Sequence, residues 1–298
     1  MSAPPTSIRG APPPRVVALA GATVISFSAI LYRLSDADPI TGGFFRMVYA
    51  VPALGLIWAV NKRRDTRPAR ARWLAIGSGV MLGFDVWSWQ LSIDEIGAGL
   101  ATLVANSQVI LVPIATWALF RERPGPRAFV AMPVVVGGLA LVTGLGSEGT
   151  FGTRPVFGVL LGVAAACFYT GFLVGFRRAS RALAPAAGPL LDATMGAAAT
   201  LGAIGLISGD LVLVPSWPSH GWLLLLACGA QVTGWLGIGY ALPRLPATVT
   251  SFVILLQPTL TLFWGRAIFD ERASAIQLTG VALVIAGITW VALERDDR

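Results

Sequence analysis

The sequence predicts an all-α integral membrane protein of ten transmembrane helices, arranged as two inverted five-helix repeats. Three observations predict it. Hydrophobic residues make up 55% of the 298 and charged residues only 12%, with mean hydropathy +0.72; a soluble domain carries roughly 25% charge. The charges cluster between apolar runs approaching the roughly 20 residues a helix needs to cross the hydrocarbon core. Finally, the chain repeats itself at an offset of 149 residues, so that AGLATLVANSQVILVPIATWALFRER from Ala98 lies over ATVTSFVILLQPTLTLFWGRAIFDER from Ala247. Ala98, Val104, Gln108, Leu111, Ala118, Phe120, Glu122 and Arg123 meet identical residues at Ala247, Val253, Gln257, Leu260, Ala267, Phe269, Glu271 and Arg272. Farther on, Val135, Gly138 and Val142 meet Val284, Gly287 and Val291. Apolar composition explains matched Ala and Val, but not a matched Gln and a matched Glu-Arg pair. Half-length repeats in apolar chains belong to transporters built from two related bundles.

In chain order, residues 1–15 are rich in Pro, Ser and Ala and read as a disordered cytoplasmic tail. The run from Val16 follows two arginines and lacks a small-residue cleavage site, so it reads as a retained first helix. The first repeat is 16–145 and the second 155–294. Expected spans are 16–34, stopped by Asp36 and Asp38; 41–60, stopped by the basic run KRRDTR; 73–92; 98–120, after Asp94-Glu95 and before Arg121; and 127–145. The second half supplies 155–176, stopped by Arg177-Arg178; 187–208, stopped by Gly209-Asp210; 219–240; 247–269; and 274–293. Alternating ten-residue segments of a transmembrane β-barrel are absent.

Charge sets the orientation. With the N-terminus inside, seventeen Lys and Arg fall in cytoplasmic segments and four (Arg33, Arg154, Arg266, Arg272) outside, with Arg46 within the membrane. That asymmetry follows the positive-inside rule and places both termini in the cytoplasm. Five spans per half is an odd number, so the halves enter the membrane in opposite directions. A site near the midplane, where the halves meet, and alternating access then follow.

The segments GGFFRMVYAVPAL at Gly42–Leu54 and ATLVANSQVILVPIATWALFRERPGPRAFVAMPVVVGGLALV resemble the drug/metabolite transporter superfamily, EamA-type family. The second half repeats the latter through Phe269-Asp270-Glu271-Arg272. The resemblance covers nearly the whole chain and implies export or exchange of amino acids, metabolites or toxic compounds. It further implies that spans one to four and six to nine surround a central cavity, with the fifth and tenth outside it. The plasma (inner) membrane of a bacterium is the expected location.

Intramembrane charge is costly, so it marks the first site candidates. Arg46 and Asp85 both fall in the outer half of the bilayer at about 1.5 Å per residue. They are expected to pair or to face the cavity together, with Arg46 holding an anionic substrate group. The competing reading is a snorkelling anchor or a buried structural pair. Asp192, five residues into the seventh span, is the second-half counterpart of Arg46 with reversed charge. It is a proton-coupling candidate beside Asp85, with a helix-start acid as the favoured alternative. Trp89, Asn106, Gln108, Tyr169, Gln231, Trp235 and Gln257 are further substrate-binding candidates, offering hydrogen bonds and flat walls. Gln108 and Gln257 are the preferred pair because they occupy equivalent positions; interhelical hydrogen bonding is the alternative.

Pro113 and Pro258 are hinge candidates, or static bends. Gly79/Gly83, Gly158/Gly162 and Gly171/Gly175 are expected to permit close helix contact. A homodimer is left open, and these pairs are not taken as its signal. The repeated Glu-Arg pairs at 122–123 and 271–272 are expected to cap or tie loops rather than touch substrate. Cys167 and Cys228 read as small packing residues, and His220 as a solvated loop residue.

Several functions are disfavoured. Lys62 is the sole lysine and no Gly-rich phosphate loop precedes it, so transport is driven by gradients or exchange. The +7 charge lies in short loops, which argues against a nucleic-acid partner. One histidine, no HExxH and no GxSxG leave a membrane-embedded enzyme without chemistry, and no metal or cofactor is expected. A non-transporting accessory subunit is the first alternative, and a membrane-embedded enzyme a weaker one. The expected partners are the lipid bilayer, a small-molecule substrate and, where transport is coupled, protons.

Overall fold

The computed structural model describes residues 13–121, 126–142, 151–180, 186–241, 245 and 247–292. The expected tail up to residue 12, the Glu122-Arg123 pair and the end of the fifth span lie outside them. The helices are α1 Pro14–Ser26, α2 Ser28–Ser35, α3 Pro39–Asn61, α4 Ala69–Ala105, α5 Gln108–Phe120 and α6 Pro126–Val142. They continue as α7 Pro155–Ala179, α8 Ala187–Ser208, α9 Ser219–Leu226, α10 Trp235–Ala241, α11 Ala247–Phe269 and α12 Ala275–Ala292. Among the described residues no strand occurs. Proline opens α1, α3 and α7, where a missing N–H costs nothing. Left-handed residues close α2 at Asp36, α5 at Arg121 and α8 at Gly209.

Five stretches are long and apolar enough to cross a membrane: Pro14–Ser35, Pro39–Arg64, Pro155–Ala179, Ala187–Ser208 and Ser219–Ala241. A sixth is met jointly by α4 and α5, bent by 46° at their break, and two shorter apolar helices span Phe129–Val142 and Ala275–Trp290. Leu160, Ile207 and Phe263 lie on the outside of the bundle with more than half of their surface exposed, as lipid-facing side chains do. This is a multi-pass membrane protein.

Close glycine contacts fix how the helices run. On α3 and α8, Ile40 meets Gly205, Gly43 meets Leu201 and Trp58 meets Gly188, so these helices are antiparallel. On α4 and α7, Ile96 meets Gly158, Met81 meets Gly171 and Ser78 meets Gly175, again antiparallel. Helices α4 and α8 run parallel, with Ile76 at Gly196 and Thr200 at Gly83. A Cβ at Gly79 would collide with the Ala193 carbonyl, so this crossing is backbone on backbone. On α6 and α12, Gly138 faces Val284 while Gly287 faces Val135. Each of these two contacts is the image of the other when the two halves are exchanged at the 149-residue offset.

Three spans are interrupted. Phe27 separates α1 from α2, Asn106-Ser107 separates α4 from α5, and Ala227–Gly234 is π-helical between α9 and α10. The joint between the third and fourth expected spans shrinks to Gly97, whose φ of 80° is left-handed. The break in the fourth span thus falls at Asn106-Ser107, upstream of Pro113, and α5 continues through that proline. Likewise α11 passes through Pro258 without interruption. Cys167 and Cys228 are exposed rather than packed inside: the faces carrying them have no helix laid over them.

Candidate functional site

A cavity of about 480 Å³ lies between the halves. Among the described residues, its wall takes members of α1, α2, α3, α4, α5, α7, α10 and α11, but none of α6, α8 or α12. The absence of the fifth and tenth spans follows the expectation. The absence of α8 does not. Gly79 and Gly196 draw α8 so tightly onto α4 that it forms the support behind the wall rather than the wall.

Eight of the nine substrate-binding candidates line the cavity: Arg46, Asp85, Trp89, Asn106, Gln108, Tyr169, Trp235 and Gln257. Arg46 and Asp85 are 6% and 9% exposed, yet they make no ion pair with each other. Arg46 instead donates from Nε to Gln231 Oε1 at 3.3 Å, and its guanidinium carbon sits 5.7 Å from the Trp89 ring centre. Asp85 and Trp89 are one turn apart on α4 and face the same space. Opposite them, Tyr169 packs edge-on to Trp235 with ring centres 6.1 Å apart, and Phe172 backs both. The result is a pole with one guanidinium, one carboxyl group and three aromatic walls.

Gln231 is the ninth candidate, and it stands behind the wall. It is fully buried, accepts from Arg46 and donates from Nε2 to Thr194 Oγ1 at 3.3 Å. The π-helical stretch carries it, and such bulges recur where a helix must re-aim a side chain. Pro113 reaches the cavity wall, whereas Pro258 is buried in α11.

Asp192 lies elsewhere. It is 3% exposed, with Oδ2 3.0 Å from Arg67 Nη1 and Oδ1 3.6 Å from Arg72 Nη2. The first contact is ionic, its angle falling short of a hydrogen bond. Arg67 is also held by Asp65, at 2.8 Å from Nε to Oδ1 and 2.9 Å from Nη2 to Oδ2. Trp58 Nε1 donates to the same carboxylate at 2.8 Å. Those hydrogen bonds, Arg67 foremost, hold the Asp65 carboxyl well below the usual carboxylate range. This cluster ties the loop between α3 and α4 to α8.

A second tie closes the other end of the bundle. Glu271 accepts from the Ala98 and Gly99 amides at 2.8 and 3.1 Å and is ion-paired with Arg33. The Gly97 turn frees those two amides, so Glu271 caps a helix from the opposite half. Gln277 donates to the Val142 and Phe151 carbonyls at 3.2 and 2.9 Å and accepts from the Phe151 amide. Arg154 pairs with Glu95. The repeated Glu at 271 is thus a cap, in keeping with the sequence expectation.

Sequence reasoning missed Ser28, Thr102 and Thr261, which line the cavity. A hydroxyl in an apolar helix can bond its own backbone, so its presence carries no signal of a site. His220 was also misread: its Nδ1 lies 2.6 Å from Tyr49 Oη and its ring packs edge-on against Phe45. The chain returns from the preceding loop onto α3, which periodicity does not reveal. Among the described residues no three His, Cys, Asp or Glu gather as metal ligands would.

Comparison with known proteins agrees with this geometry. The model of the EamA-like transporter family matches twice, over residues 15–144 and 156–293. An uncharacterized transporter of Archaeoglobus fulgidus is 25% identical over 271 residues, covering 88% of this chain and 91% of its own. An uncharacterized transporter of Synechocystis sp. is also 25% identical, covering 84% of this chain and 78% of its own. One solved crystal structure, 15% identical, superposes over 94% of this chain and 96% of its own with a TM-score of 0.63, a likeness of fold. With two tandem matches spanning both halves, the chain belongs to the EamA-like transporter family.

Proposed function

We propose that the protein is a ten-span secondary transporter that moves a small charged organic molecule by alternating access between two inverted halves. The observation that carries this reading is the cavity between the halves, with Arg46 and Asp85 buried in its wall and unpaired. A guanidinium and a carboxyl held apart in a low-dielectric site are costly as charges until something neutralises them, and a charged substrate or a proton does so on entering. Inversion is supported by the antiparallel contacts between α3 and α8 and between α6 and α12, each joining equivalent spans. The exchange of Gly138–Val284 for Gly287–Val135 is the local form of that twofold relation. The arginine asymmetry supports cytoplasmic termini in the inner membrane, which makes the Glu271 tie the outer closure and the Arg67 cluster an inner one. On this reading the protein exports or exchanges its substrate. Asp85 is the coupling carboxylate, since Asp192 is committed to Arg67 and Arg72.

The test begins with a thermal-shift screen of the purified protein against carboxylates, amines and zwitterions, because a ligand that binds only the folded state raises Tm. The best hit is then followed in proteoliposomes with and without a pH gradient. Asp85→Asn is expected to abolish the dependence on the gradient while counterflow persists. Arg46→Gln is expected to weaken binding of an anionic hit by about 10- to 100-fold, the value of a charge-assisted hydrogen bond. Gradient-driven uptake unchanged by Asp85→Asn removes the coupling role.

A further inference from the structure

Many hydroxyls on the helices of this protein share one habit, a bond to a backbone carbonyl of their own helix. Thr170 donates to the Ala166 carbonyl, Thr200 to Gly196, Thr279 to Ala275 and Thr289 to Ile285, each one turn back at 2.7–2.9 Å. Thr261 does the same toward Gln257 and also reaches the Ser26 carbonyl. Such back-bonding is how a membrane helix accommodates a hydroxyl.

Ser28 and Thr102 break the habit. Their hydroxyl oxygens are buried without a hydrogen-bond partner among the described residues, and so is Oε1 of Gln108. All three residues line the cavity, and Ser28 is only 4% exposed. The helix interruptions bear on this. Ser28 directly follows the Phe27 turn, and the carbonyl one turn behind it, that of Val24, takes the Phe27 amide at 3.3 Å. Thr102 lies between the Gly97 turn and the Asn106-Ser107 break, and Asn106 folds back to bond its carbonyl through Nδ2 at 2.8 Å. Gln108 opens α5 immediately after that break. Two broken helices therefore place three residues with unsatisfied polar atoms on one cavity wall, a placement that discontinuous membrane helices use for ligands. These atoms sit on α2, the last turns of α4 and α5, while the charged pole sits on α3, α4 before Gly97, α7 and α10.

We infer that the cavity has a second, neutral pole at Ser28, Thr102 and Gln108, which binds a hydroxyl or carboxamide group of the substrate. The substrate class is then a bifunctional small molecule, with a charged head toward Arg46 and Asp85 and an uncharged hydrogen-bonding group at its far end. A purely apolar drug leaves these three atoms unpaired, at the cost that buried unsatisfied polar groups carry. The inference rests on the proposed reading of the cavity as the transport site.

Matched pairs of probes test it on the full chain in lipid nanodiscs by titration calorimetry. The pairs are butyrate and 4-hydroxybutyrate, butylamine and 4-aminobutan-1-ol, and valine and threonine, each differing at a single hydroxyl-bearing position. In the pair whose head charge suits Arg46 and Asp85, the hydroxyl member is expected to bind about tenfold tighter, one hydrogen bond formed in a dry site. In Thr102→Val, and further in Thr102→Val with Ser28→Ala, that ratio is expected to fall toward one. Thermal unfolding of each variant without ligand shows that it is folded. Equal binding of both members to the natural protein, or a ratio retained in the double variant, overturns the neutral pole and leaves the charged pole standing. Binding of none of the six overturns both.

Discussion

This protein buries two Arg–Asp couples and treats them in opposite ways. Arg67 and Asp192 are 7% and 3% exposed, and Arg46 and Asp85 are 6% and 9% exposed, so burial does not separate them. Pairing does. Arg67 is enclosed by two carboxylates, Asp65 and Asp192, with Arg72 completing the cluster. Among the described residues, Arg46 has only the neutral Gln231 as a direct hydrogen-bond partner and the face of Trp89 nearby. Desolvated charge is stable where its counter-charge is built in, and such a site is structural. Where the counter-charge is held apart across a cavity, the site is left for a ligand. The difference teaches that a lone charge in a membrane helix does not identify a binding site; its partner, or the want of one, does.

The largest expected effect tests that contrast on stability. Arg67→Ala leaves Asp65 and Asp192 without their shared cation and is expected to cost about 3–5 kcal/mol. Arg46→Ala removes a charge with no ion pair, leaves the buried Gln231 Oε1 without its donor, and is expected to cost less, about 1–2 kcal/mol. Thermal unfolding of the purified variants checks both, and equal losses would erase the distinction between the couples.

An intermediate effect is expected at Glu271, where the partner is a helix end. Glu271→Gln keeps the shape but weakens the cap on Ala98 and Gly99 and the pairing with Arg33, at about 1–2 kcal/mol. Hydrogen exchange at the Ala98 and Gly99 amides is expected to accelerate while the core of α8 stays protected. Unchanged exchange would show that the tie does not hold that end closed.

The smallest effect is a pH dependence outside the membrane. Because Arg67 holds the folded Asp65 carboxyl below its ordinary value, its contribution is fully present above the unfolded carboxylate pKa. It is lost only as pH falls through the lower folded value. Asp65→Asn is therefore expected to lower stability by about 1 kcal/mol at pH 7. The gap to the natural protein should begin to close only below about pH 4. A gap that closes near neutral pH would mean that Arg67 relies on Asp192 alone.

Much of the architecture was legible in the residues, because membrane helices announce themselves through length and hydropathy, and loops through charge. The 149-residue repeat located the equivalent positions, and eight of nine chosen residues do line one cavity. Three things were not legible. Arg46 and Asp192 looked like counterparts, yet only contacts show that Arg67 reaches from a loop to claim Asp192. Gln231 looked like a cavity residue, but a π-helical turn places it behind Arg46. Ser28 and Thr102 looked like ordinary helix hydroxyls, and only the tertiary structure shows them without a partner among the described residues.

By itself, then, the sequence determined that the chain is helical, crosses the membrane repeatedly and carries two related halves, since these depend on local composition and spacing. Tertiary structure alone decided which charges are paired and which face a cavity. The cost of a buried charge or hydroxyl is set by what lies within a few ångströms of it, and those neighbours come from helices distant in the chain.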